Sequence, residues 1–344
     1  MNGNGRIAMV AGIGLLALFH APVQAQNNIT FKGRTINLLI GYPAGGTYDL
    51  YARTIARHLG KYLPGKPNVL AQNMPGAATL NATRHVYNVA PQDGTYVVAV
   101  SSTMPFFSLF QKPDPKYDPL KANWLPTPSS FVSVMLVSDK VPVKTIDDLR
   151  QRETVMSTLA PGATPHFIAS VINVVLGTKI KPITGFRNMN SSLLAMERGE
   201  IEGYPTVPMS AIMRRYKKQW ESGEFRPLVQ IGAKKHKDAG NVPLLRDLVS
   251  NEADRLLVDL ATMPLALGFP YMMGPNVPKE RVALMRKAFM QVFADTEFLA
   301  EAQKATLEIN PIDGDTVNRM IRDAYSAPKE VRAKVRAIFE GKLN

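Results

Sequence analysis

Two hydrophobic periods alternate along the chain. Ile36–Ile40 is a continuous leucine and β-branched run, and beyond Gly41–Gly46 the residues Ala52, Ile55, Ala56 and Leu59 recur at i, i+3, i+4 and i+7. The first pattern predicts a buried strand and the second an amphipathic helix, stopped by Gly60. The pair then repeats. Asn68–Ala71 is a predicted strand, Gln72–Ala78 a turn, Leu80–Ala90 a helix, Pro91–Gly94 a second turn and Thr95–Val100 a third strand. Two βαβ crossovers in succession imply parallel strands whose carboxyl ends share one edge. Open α/β sheets take their ligands outside that edge, which nominates loops 41–48, 73–78 and 101–105 from position alone.

A second α/β set follows Lys112–Ser130, a segment with five prolines and both signs of charge that is predicted to be an irregular surface excursion. Strands are expected over Phe131–Val137, Thr154–Leu159, Ile180–Thr184, Ile201–Tyr204 and Pro227–Ile231. Helices are expected over Thr145–Arg150, His166–Leu176, Ser191–Arg198 and Ser210–Trp220. Four more helices close the chain, near Lys279–Phe293, Glu297–Lys304, Asp315–Tyr325 and Lys329–Phe339, the first of them after Pro278. The fold class this spells is α/β in two halves.

Length and composition narrow the reading. The 344 residues suit two domains, and 45% apolar with 20% charged residues suits a globular protein. Met1–Arg6, the apolar run Ile7–Phe19 and Val23-Gln24-Ala25 have the three parts of an export signal, with cleavage expected near Ala25. Pro22 ends the run well short of the roughly 20 apolar residues a membrane span needs. With no cysteine, disulfides, thiolate metal sites and a cysteine nucleophile are excluded. Lys and Arg exceed Asp and Glu by 13, which fits an anionic ligand, nucleic acid or an anionic surface. The basic clusters at 214–218, 234–237 and 329–342 lie on or beside predicted helices without a nucleic-acid module or stacking aromatics, so no nucleic acid is expected.

Candidate chemistry is sparse. The loop at Gly45 and Gly46 is neither a Walker A sequence nor a GxGxxG fingerprint, which disfavours a nucleotide. A glycine pair at a helix start is either an anion cradle of bare amides or a tight strand-to-helix turn. Asp49 is open between base, metal ligand and first-turn acid. His58, His85, His166 and His236 have neither metal spacing nor a triad signature. His166, at a strand's carboxyl end, is either a helix-start residue or a ligand contact. No metal or cofactor is expected.

Gly41-Tyr42-Pro43-Ala44-Gly45-Gly46-Thr47-Tyr48-Asp49, Ala52-Arg53, Asn73-Met74-Pro75-Gly76-Ala77 and Ala90–Thr95 together closely resemble the substrate-binding proteins of tripartite tricarboxylate transporters, the Bug or TctC-like family. The likeness continues, more weakly, through Gly185-Phe186-Arg187, Gly199–Gly203 and Val277–Arg281. It implies a two-lobed periplasmic "Venus flytrap" with mainly parallel sheets. Lobe 1 would be 26–133 plus 263–344 and lobe 2 134–262, following a signal peptide over 1–25. It also implies a receptor, not an enzyme, that captures a small carboxylate and delivers it to membrane permease subunits, acting as a monomer. The ligand-binding positions so implied are Tyr42, Ala44, Gly45, Gly46, Asp49, Pro75, Gly76, Ala77, Ser101 and Ser102 in the first lobe. Gly162, Ala163, Thr164, His166, Phe186, Arg187 and Asn188 would close from the second. The chain departs from the family pattern at Met74, Ala78 and Asn188, where arginine, glycine and glycine are usual. A ligand-sensing co-receptor, or a secreted hydrolase or lyase using the same crevice, are the alternative readings.

Overall fold

The computed structural model describes residues 29–160 and 163–343, together with Met1. The expected export signal and Gly162 lie outside the described residues. In chain order, the first sheet and its cover are β1 (Thr35–Ile40), α1 (Thr47–Leu59), β2 (Asn68–Asn73), α2 (Leu80–Arg84), β3 (Tyr96–Ala99), α3 (Phe107–Phe110) and β4 (Asn123–Trp124). The second has β5 (Ser133–Ser138), α4 (Ile146–Gln151), β6 (Thr154–Ser157), α5 (Thr164–Leu176) and β7 (Ile180–Ile183). It continues with α6 (Met189–Glu197), β8 (Gly203–Pro208), α7 (Met209–Arg215), α8 (Lys217–Ser222) and β9 (Phe225–Ile231). Helix α9 (Glu252–Leu267) leads back to β10 (Tyr271–Met273) in the first sheet. The tail is α10 (Lys279–Phe293), α11 (Thr296–Lys304), α12 (Gly314–Ser326) and α13 (Lys329–Phe339).

The fold is two-lobed, and its sheets mirror each other in plan. Their strand orders are β2-β1-β3-β10-β4 and β7-β6-β8-β5-β9. In each, four strands run one way, and the fourth in the order runs against them. That reversed strand, β10 or β5, is the one that arrives from the other lobe. It therefore enters at the edge where its parallel neighbours end, so both chain crossings lie beside the loops expected to bind. Burial follows position: β5, inside its sheet, is buried along its whole length, whereas β2 at an edge alternates exposed and half-buried residues.

Several expectations are corrected. Lys112–Ser130 is not a surface excursion. Its prolines prevent a helix, yet Tyr117, Trp124, Leu125, Thr127 and Ser129 are all buried, and Asn123–Trp124 joins the sheet. The helix expected to Ala90 is α-helical only to Arg84 and widens to a π turn over His85–Val89. The helix expected over 210–220 breaks at Tyr216 (φ −122°, ψ 20°). Sequence patterning assigned no element between Ile231 and Pro278, where α9 in fact runs 16 residues with Pro264 inside its last turn.

Three stretches of chain meet at the crossing. Thr127 exchanges main-chain hydrogen bonds with Ile312 (3.0 and 3.1 Å), and its hydroxyl lies against the carbonyls of Leu267 (2.7 Å) and Phe269 (3.1 Å). The Phe131 N–H donates to the Leu265 carbonyl (3.1 Å). Between them Gly268 has φ +60° and ψ −93°, and a Cβ placed on it would lie 1.9 Å from the Ser129 carbonyl oxygen. Away from the crossing, Phe110, Phe167 and Phe339, from α3, α5 and α13, form a triangle with ring centres 5.3–5.5 Å apart. They belong to a single apolar core that includes residues of both sheets, such as Val98 and Met135.

Gly268→Ala should cost at least about 3 kcal/mol, because the backbone it collides with cannot rotate aside and the dihedral is strained for any side chain. Urea denaturation reads this directly. At the far end of the first lobe, Asp295 caps α11 through the N–H groups of Glu297 and Phe298 and accepts from Lys61 and the Tyr62 hydroxyl. Lys61 and Tyr62 hold its carboxyl far below the usual range. With the folded value depressed, its stabilisation is present above the ordinary Asp pKa of about 3.9 and lost as pH falls toward the folded value. Asp295→Asn should keep the cap, since Asn caps about as well as Asp, and should cost about 1–2 kcal/mol at neutral pH through the lost charge-assisted hydrogen bonds from Lys61 and Tyr62. The gap to the wild type should narrow in denaturation curves taken progressively below pH ~4.

Candidate functional site

The three first-lobe loops do converge. β1, β2 and β3 are adjacent and parallel, and their outgoing residues are tied together. The Met74 N–H donates to Ile40 O (2.8 Å), the Gly41 N–H to Ala99 O (3.0 Å) and the Ser101 N–H to the Thr79 hydroxyl (3.0 Å). Ala44, Gly45, Gly46, Pro75 and Ala77 are exposed there, Tyr42 and Gly76 half-buried, and Ser101 and Ser102 just buried.

Asp49 is a loop clamp in this arrangement. Its carboxylate accepts from the Gly45 N–H (2.9 Å), Asn73 Nδ2 (2.8 Å) and Arg53 Nε (2.9 Å), while Arg53 also reaches Asn73 Oδ1 (2.6 Å). Burial pushes its pKa up, but the Gly45 and Asn73 hydrogen bonds with the Arg53 charge outweigh that and hold it below the usual carboxylate value. The clamp sets the backbone: Gly45 takes φ +86°, where glycine is favoured, whereas Gly46 caps α1 with an ordinary extended φ of −82°. Of the glycine pair, only Gly45 therefore has a dihedral that favours glycine. Gly46 has no side chain with which to cap the helix, so the first amides of α1 have no side-chain cap and face an exposed loop.

The Gly76 loop is strained. Gly76 is followed by Ala77, Ala78 and Thr79 at φ +45°, +49° and +77°, three consecutive non-glycine residues in the left-handed region. The departure from glycine at Ala78 therefore falls where a side chain costs most.

Aromatic residues supply what the sequence reading missed. Tyr48 stacks on Tyr42 (4.3 Å between ring centres) and meets Phe269 edge-on (4.8 Å). Phe269 in turn contacts Tyr51 (4.2 Å) and Phe131 (5.8 Å). The Tyr48 hydroxyl donates to the Gly268 carbonyl (3.1 Å) and accepts from the Ser102 N–H (3.2 Å), linking the crossing to the loop after β3. Burial raises its pKa far above the usual tyrosine value, so it stays protonated and able to donate. Tyr48 lies inside the recognised motif, but Phe269 and Phe131 are about 220 and 80 residues away and no local pattern marks them.

On the second lobe, Ala163 is the cap residue of α5 and Thr164 its first residue, and His166 is half-buried in the same turn, its pKa lowered by burial. Phe186 is half-buried against the core behind α6, and Arg187 is exposed. Asn188 caps α6: its Oδ1 accepts from the Ser191 N–H (2.9 Å), and the Ser191 hydroxyl answers it in a capping box. Elsewhere, His58, Asp295 and Glu297 present atoms within 4.8 Å of one another, a grouping their sequence spacing did not suggest. Lys61 already lies 2.8 Å from Asp295 and 3.3 Å from Glu297, so a cationic partner is built in. Cavities of about 350 and 690 Å³ lie beside α10 and between α4 and the 241–248 loop.

No family model matches the chain. It is 28% identical over 251 residues, 71% of its length and 72% of the relative's, to "UPF0065 protein in gbd 5'region" of Cupriavidus necator. It is 27% identical over 217 residues, 59% of its length and 64% of the relative's, to "Protein BugT" of Bordetella pertussis. In structure it superposes on a ligand-free TctC solute-binding protein from Polaromonas with TM-score 0.70 at 18% identity, covering 91% of this chain and all of the other. The chain has the fold of the TctC and Bug periplasmic binding proteins. The R. palustris protein solved with adipate shares the fold at TM-score 0.60 and 19% identity, over 89% of this chain and 98% of that one. The protein titled BugD, a periplasmic binding protein, shares the fold at TM-score 0.61 and 14% identity, over 89% of this chain and 98% of that one. No helix among the described residues is long and apolar enough to cross a membrane.

Ala78→Gly should stabilise the chain by about 0.5–1 kcal/mol, relief of the left-handed strain exceeding the added entropy of the unfolded chain. A rise in the urea midpoint at unchanged slope is the expected readout.

Proposed function

We propose that the chain is an extracytoplasmic receptor that takes a small carboxylate at the edge shared by its two lobes and delivers it to the permease subunits of a tripartite tricarboxylate-type transporter. The observation that carries the reading is the uncapped start of α1. Its amides and helix dipole favour negative charge at Gly46 and Thr47, and the clamp on Asp49 uses that residue's charge elsewhere. The loops at 75–77 and 101–102 flank this point, and Ala163, Thr164, His166 and Phe186–Asn188 are the second-lobe residues that would close over the ligand. Support comes from the adipate held by the R. palustris neighbour and from the export signal expected over 1–25, which would send the mature chain to the periplasm. Amide hydrogen bonds to a charged oxygen contribute about 1.5–3 kcal/mol each, so a handful of them reaches the roughly −8 kcal/mol of a micromolar receptor. No bond-breaking step is part of this function, and no metal or cofactor enters it. The receptor acts as a monomer.

The test is calorimetry on the mature chain with a panel of small mono- and dicarboxylates, adipate among them. The wild type should bind at least one, unchanged after recovery. Gly46→Val should fold, since its dihedral is ordinary and only Pro43 O lies within 4.0 Å of the added Cβ. Its branched side chain, however, covers the helix start, and it should lose at least about tenfold in affinity. A wild type that binds no carboxylate, or that converts its ligand, overturns the reading.

A further inference from the structure

The last helix does not stay with the lobe that carries it. Helices α10 and α11 pack on α1 and α12 reaches β4, all in the first lobe, yet α13 lies against α3 of the first lobe and against both α5 and α9 of the second. Its buried residues Val331, Val335 and Ile338 belong to the core that the two sheets share. Toward the first lobe, the Arg336 guanidinium donates to the carbonyls of Ser108 (2.5 Å) and Leu109 (3.3 Å), which lie in the single turn of α3 and have no partner within so short a helix. Toward the second, Lys334 Nζ donates to Asp254 Oδ1 (2.8 Å) in the first turn of α9. Phe339 then fills the seam. It stacks on Phe110 of the first lobe (5.5 Å between ring centres) and meets Phe167 of the second edge-on (5.3 Å), and those two rings are themselves 5.5 Å apart.

We propose that α13 is a strap that holds the two lobes at one spacing, and that the contacts of Phe339 and Arg336 set how readily the lobes part. The main chain passes between the lobes only at the crossing, and a rotation there can leave its hydrogen bonds intact. The ring triangle lies away from the crossing, so the same rotation has to pull Phe110 from Phe167 and Phe339 from one of them, exposing apolar ring faces to water. The strap therefore weights the held arrangement against the parted one whatever the cleft binds, and it goes beyond the receptor reading without depending on it.

The chain has no cysteine, so Gln72→Cys and Thr184→Cys together place one spin label on each lobe. Both positions are exposed, on β2 and just after β7, the strands farthest in each sheet from the crossing, where a rotation moves the labels most. Double electron–electron resonance on the labelled mature chain, without added ligand, should give a single narrow distance. Phe339→Ala and Arg336→Gln should each add a longer one, raising the ratio of parted to held molecules at least about fivefold. Val292→Ala, in a core of the first lobe alone, should lower stability and leave the distance unchanged, which separates a strap from a general loss of stability. If Phe339→Ala does not fold, Arg336→Gln, on a half-buried side chain, decides. Several distances in the wild type, an unchanged distance in either folded strap variant, or a longer distance in Val292→Ala as well overturns the proposal.

Discussion

The whole arrangement depends on how closely two chain crossings approach each other. The chain leaves the first sheet after Trp124 and returns at Phe269, and these passages are packed so tightly that Gly268 leaves no room for even a methyl group against Ser129. Thr127 holds the contact from one side and the tail at Ile312 from the other. Because both crossings enter at the carboxyl ends of the parallel strands, each sheet receives one reversed strand, and the loops of both lobes are drawn to a common edge. The position of the candidate site follows from this topology before any side chain is considered.

The site is economical with its polar groups. A buried carboxylate in a glycine loop would be costly alone, and Asp49 is matched by three donors from the loop, α1 and β2. That matching fixes the loop and leaves the start of α1 open. Tyr48 does the equivalent on the other flank, satisfying the Ser102 amide while its ring fills the space between Tyr42 and Phe269. Its hydroxyl also touches the Gly268 carbonyl, so the tightest contact of the crossing and the loop after β3 share one side chain.

Where local sequence failed, the cause was a long-range contact. The composition of the proline-rich segment 112–130 opposes regular structure and predicts a surface position, but composition does not say what covers a segment. Here α12, β10 and the crossing bury it. Helix α9 was unassigned although Asn251 caps it and its apolar residues are numerous. Pro264 near its end signals a break, and its packing against α5 and α13 is invisible in sequence.

The sequence by itself determined the βαβ succession, the meeting of loops 41–48, 73–78 and 101–105, and the likeness to the Bug and TctC proteins. These rest on short-range periodicity and on motifs whose residues are neighbours in the chain. Only the tertiary structure decided that Asp49 is committed to the loop, that Asn188 caps a helix, that Gly46 needs no special dihedral, and that Phe269 and Phe131 join Tyr42 and Tyr48. Those facts depend on hydrogen-bond partners and ring contacts, some of them separated by as many as 220 residues, and on φ values that residue type alone does not dictate. The physical reason is that local propensity selects elements, whereas the chemistry left over for a ligand is fixed only after the fold has satisfied its own polar groups.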